Sequence, residues 1–130
     1  MKVSTYSIIS VGVLNLLETV NVYLNENAAF QFGVEVDYLS HAIFHLFVGL
    51  LFIQIGRLLL LERYRMPKIT MGFLGLLFLL NGVSILLLQQ HAIKFDYSIH
   101  YVVHALYYLI LGSLMSLLSF QLHRALLINK

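Results

Sequence analysis

The chain has no cysteine, no tryptophan and a single proline, and only 11% of its residues are Asp, Glu, Lys or Arg. Without cysteine there are no disulfides and no thiolate metal sites, so imidazole and carboxylate are the strong donors left. Thioethers come only from Met1, Met66, Met71 and Met115, and a copper(I) thioether site is not expected. So little charge cannot cover a soluble domain of 130 residues, since such surfaces use about a quarter charged residues overall. The net charge of +2 is spread over loops and tails. Long apolar runs between them leave no nucleic-acid surface.

What fills the chain is apolar, with 60% of it hydrophobic. No Asp, Glu, Lys or Arg occurs from Tyr38 to Gly56, from Ile69 to Ile93, or from Tyr97 to His123. Each run reaches the ~20 residues that cross a bilayer as a helix. A first span, Val3 to Leu24, is broken only by Glu18. The pattern predicts an all-α integral membrane protein with four transmembrane helices, near Val3–Leu24, Asp37–Leu61, Ile69–Gln90 and Asp96–Leu122. Asn15, Glu18 and Asn21 make the first run unlike a signal-peptide core, so it is expected to be retained. Asn25 to Val36 and His91 to Lys94 read as loops. Glu62 to Lys68 reads as a basic turn in which Pro67 stops a helix. Basic residues lie at both termini and in that turn. By the positive-inside rule these face the cytoplasm of a cell (plasma) membrane.

The chain repeats itself. Gly12 to Asn21 aligns with Gly72 to Asn81, matching Gly, three Leu and Asn in order. A one-residue gap in the following loop brings Asp37 onto Asp96. Residues 1–65 and 66–130 are therefore expected to form two tandem helical hairpins within one membrane domain. A direct repeat gives a pseudo-two-fold axis along the membrane normal.

Both halves carry D-Y-x-x-H-x-x-x-H, at Asp37, His41 and His45 and at Asp96, His100 and His104. On a helix, positions i, i+4 and i+8 share one stripe. Each half is expected to point a carboxylate and two imidazoles to one side, and the symmetry brings the two stripes together. Four His with two Asp suit a divalent transition metal, zinc or copper before iron. Glu18 is the lone acid deep in a span, where charge is costly. It is expected to act as a ligand, an imidazole partner or a proton carrier, with Asn21 and Asn81 orienting imidazole N–H groups. Plainer roles stand beside these. Intramembrane His can bond helix to helix, and Asp at a helix start can cap it. Gly49, Gly56, Gly75, Gly82 and Gly112 read as close-packing positions.

The D-x-x-x-H element resembles part of the Asp/His copper motif in a subunit of the membrane methane and ammonia monooxygenases. The resemblance covers five residues per half. In that family the second His lies much further along the helix, and this chain is shorter than that subunit. It implies a place beside a membrane oxidase or monooxygenase. No nucleophile, phosphate-loop or Rossmann pattern occurs, so the chain is expected to bind or assist rather than catalyse alone. The alternatives are a metal-free structural or accessory subunit and a single b-type haem protein with one axial His from each half. A chain with so little outside the bilayer is expected to self-associate or to join other membrane subunits.

Overall fold

The computed structural model describes residues 2–94 and 97–128. Four helices carry the chain: α1 (Lys2–Asn25), α2 (Tyr38–Leu60), α3 (Arg65–Leu88) and α4 (Tyr101–Ile128). All four are long and apolar enough to cross a membrane. Only 22% to 39% of each span is buried, so side chains such as Leu17, Phe47, Leu87 and Ile110 face outward as a lipid-facing surface would. The helices pair as hairpins, α1 with α2 and α3 with α4. Two compact units result, Met1–Glu62 with Ile93–Ser98 and Arg63–Ala92 with Ile99–Lys130.

Each hairpin closes around glycine. A Cβ on Gly12 would lie 2.8 Å from the Gly49 carbonyl oxygen, and one on Gly49 would lie 2.9 Å from that of Gly12. In the second hairpin Gly75 and Gly112 stand in the same relation, at 2.9 and 2.8 Å. Backbones this close leave no room for a side chain, and that lets dispersion act between helices in lipid.

The loops depart from the sequence reading. Short two-stranded ribbons join the helices, β1 (Ala29–Gln31) antiparallel with β2 (Val34–Val36), and β3 (Ala92–Lys94) with β4 (Tyr97–Ile99). Gln31 pairs with Val34 around Phe32 and Gly33, at φ 50° and 80°. Two positive φ values make a tight hairpin turn whose twist matches the strands, and Gly takes the second without strain. Pro67 does not stop a helix. It lies in the first turn of α3, where its missing N–H would have had no intrahelical partner. Helix α4 begins at Tyr101 rather than Asp96, and Asp96 itself lies outside the described residues.

The repeat is also in a different register. A shift of 63 residues with no gap carries α1 onto α3, β1 onto β3, β2 onto β4 and the start of α2 onto the start of α4. The same shift carries the left-handed Glu26 (φ 53°) onto Gln89 (φ 52°). It pairs Gly12 with Gly75, Gly49 with Gly112 and Ala42 with Ala105. His41 then corresponds to His104, Asp37 to His100, and His45 to Tyr108. The gapped alignment of Asp37 with Asp96 matched a motif that the two folded halves do not share.

Candidate metal centre

In the first hairpin, partners run in opposite senses along the two helices. Tyr23 lies against Tyr38, Asn15 meets His45, and Gly12 meets Gly49. Glu18 is therefore level with His41, and Asn15 with His45. His41, His45, Asn15 and Glu18 are all buried. His41 and His45 lie about one and two turns inside the start of α2.

The ring nitrogens can be assigned by their partners. His41 Nδ1 lies 2.8 Å from the Asn27 carbonyl oxygen, which only accepts, so this Nδ1 donates. Asn15 gives its amide N–H to the Val11 carbonyl at 2.9 Å, which aims its Oδ1 at His45. His45 Nδ1 lies 2.9 Å from that oxygen and also donates. A neutral imidazole carries one N–H, so with both Nδ1 atoms donating, a hydrogen bond between the Nε2 atoms needs a second proton on one ring. The two Nε2 atoms are 3.1 Å apart. At that distance the pair is held either by a proton shared between the two nitrogens or by a metal ion beside them. Two ligands on one ion, each bound at about 2.0–2.1 Å, stand roughly 3 Å apart. A carbonyl holding the far nitrogen of each ring is the arrangement that fixes tautomer and orientation in metal-ligating histidines.

The other expected residues are placed differently. Asp37 is the N-cap of α2, and its Oδ1 accepts from the Ser40 backbone N–H at 2.7 Å. The bonds from Ser40 hold its carboxyl below the usual carboxylate range. His100 is exposed just before α4, its Nδ1 accepting from Val102 N–H at 3.3 Å. It thus takes the position Asp37 takes in the first half. Its ring packs on His91 and Tyr101, with centroids 5.1 and 4.5 Å away. His104 is buried, edge-on to Tyr108 at 5.2 Å. Tyr108 meets Phe78 at 5.4 Å, where the first hairpin has His45 and Asn15. Asn81 is buried at the position matching Glu18. The Asn21 side-chain oxygen takes the Asn25 amide at 2.9 Å, within the last turn of α1.

Among the described residues, no three His, Asp or Glu side chains gather closely enough to enclose an ion. The structure thus brings together His41 and His45. It adds Asn15 and Asn27, which the sequence motif did not mark. Asn15 had a signal, a polar side chain three residues before Glu18 in an apolar span. Asn27 acts through its backbone and had none. No family model, no curated protein and no solved structure matches the chain.

Proposed function

We propose that the chain is a small integral membrane metal-binding protein, and that His41 and His45 hold the ion through their Nε2 atoms. The observation that carries this reading is the 3.1 Å approach of the two Nε2 atoms, with both Nδ1 atoms engaged as donors. Water completes the shell of the two imidazoles, and the buried Glu18 carboxylate, level with His41, balances the charge. Neutral imidazole with carboxylate selects zinc or copper(II), with iron next. The gap is too narrow for these two rings to be axial ligands of one haem, which stand roughly 4 Å apart across the porphyrin, twice a metal–imidazole bond. The role is to hold metal, as an accessory subunit of a larger membrane complex or as a homo-oligomer. The basic turn and termini face the cytoplasm of the plasma membrane, and the site lies toward the opposite face.

Metal analysis of the purified protein tests the reading. The wild type is expected to carry stoichiometric zinc or copper, and the double variant H41A/H45A none, while still inserting. Asn15→Leu is expected to weaken binding about 10- to 100-fold, because it frees the His45 ring. H100A is expected to keep its metal. Full occupancy in H41A/H45A would overturn the assignment. A wild type without metal, together with a large loss of stability in H41A/H45A, would show that these imidazoles serve only to bond helix to helix.

A further inference from the structure

The second hairpin has a groove of about 430 Å³ where α3 begins and α4 ends. Its lining includes Lys68, Gly72, Phe73, Ser119, Phe120 and His123. Gly72 makes the floor, since a Cβ there would come within 2.9 Å of Ser119 Oγ. That hydroxyl donates to the Lys68 carbonyl at 2.7 Å, which ties the two helices together beneath the opening. Phe73 and Phe120 are exposed walls. Lys68 and His123 stand at the rim, and the Arg124 guanidinium lies 6.0 Å over the Phe120 ring. Arg63 and Arg65 are in the adjoining turn. From Arg63 to the end of the chain the sequence has one acidic residue, Asp96.

The first hairpin shows what this groove replaces. The 63-residue shift puts Ile9 at the place of Gly72, Gly56 at Ser119, Thr5 at Lys68 and Leu60 at His123. There the Ile9 side chain packs onto Gly56 so closely that a Cβ on the glycine would collide with it. One half is plugged, with Arg57 where the other has Phe120, and the other half is open and has Lys68 and His123 where the first has Thr5 and Leu60.

We propose that this groove binds one anionic phospholipid. The phosphate sits at Lys68 and His123, with Arg124 adding charge, and one acyl chain runs over Gly72 between Phe73 and Phe120. Two features point to a lipid rather than a soluble anion. The aromatic walls are continuous with the outward apolar face of a membrane-spanning hairpin, and the charge sits at the helix ends, where headgroups lie. The site is separate from His41 and His45 and stands or falls without them.

The test is native mass spectrometry of the delipidated full-length protein in detergent, titrated with phosphatidylglycerol or phosphatidylcholine. One phosphatidylglycerol is expected to be retained where phosphatidylcholine is not. Lys68→Ala is expected to weaken retention about five-fold, the loss of one basic side chain near anionic headgroups. The double variant G72I/S119G copies the packing that the first hairpin already tolerates. It is expected to abolish retention and leave the helical fold and the metal content intact. Equal retention of the two lipids, or undiminished phosphatidylglycerol retention in G72I/S119G, would overturn the proposal.

Discussion

The two hairpins share a backbone and differ in what lines it. Gly12 and Gly49 meet as Gly75 and Gly112 do, and both halves keep Tyr-x-x-His-Ala at the start of the second helix. At the level of the second imidazole they part. The first half has His45 bonded to Asn15, and the second has Tyr108 edge-on to Phe78. Glu18 gives way to Asn81. The glycine contacts that close a hairpin are thus common to both halves, while the polar set belongs to the first and an aromatic pair takes its place in the second.

That separation can be broken by transplanting. Replacing Phe78→Asn, Asn81→Glu and Tyr108→His gives the second hairpin the polar set of the first, around the existing His104. Metal content per chain is expected to double. Unchanged content would mean that the polar set is not enough to make a site. Next in size are the glycines. Gly49→Val and Gly112→Val should each cost about 1–3 kcal/mol of stability in detergent, as overpacked contacts do. The two losses should be similar, because the approaches are nearly equal. Clearly unequal losses would show that the halves are not held alike.

A smaller effect is expected at the first ribbon. Gly33→Ala puts a side chain at φ 80°, costing about 1–2 kcal/mol, with faster amide exchange confined to β1 and β2. Spread of that exchange into α2 would contradict a local turn. The smallest concerns Asp37, whose lowered pKa comes first from the Ser40 backbone N–H. A depressed carboxyl stabilises the fold above its ordinary value of 3.8, and that contribution is lost as pH falls through the lowered one. Protection of the Ser40 amide, relative to its intrinsic exchange rate, should therefore fall on acidification in the wild type and stay flat in Asp37→Asn. Metal content should not change in Asp37→Asn, in contrast to H41A/H45A. Loss of metal there would make Asp37 a ligand as well as a cap.

The helices and their pairing were legible because charge-free runs of that length have few other fates. The i, i+4 spacing of His41 and His45 was legible for the same kind of reason, since a helix fixes it. What failed was the register of the repeat. Chance spacing gave Asp96, His100 and His104 the look of Asp37, His41 and His45, and the alignment of Gly12 with Gly72 followed from it, where the structure pairs Gly12 with Gly75. A two-residue ribbon turn at Phe32 and Gly33 inserts no helical periodicity, so the connections read as loops. Asn27 was invisible because a backbone carbonyl is common to every residue and only the folded turn aims it.

That carbonyl has a mechanical meaning. Asn27 belongs to the strip of chain leading into β1, outside any helix, yet it latches the ring of His41. A displacement of that strip would turn a buried imidazole, so the seating of the ribbon and the aim of the ring are one mechanical property.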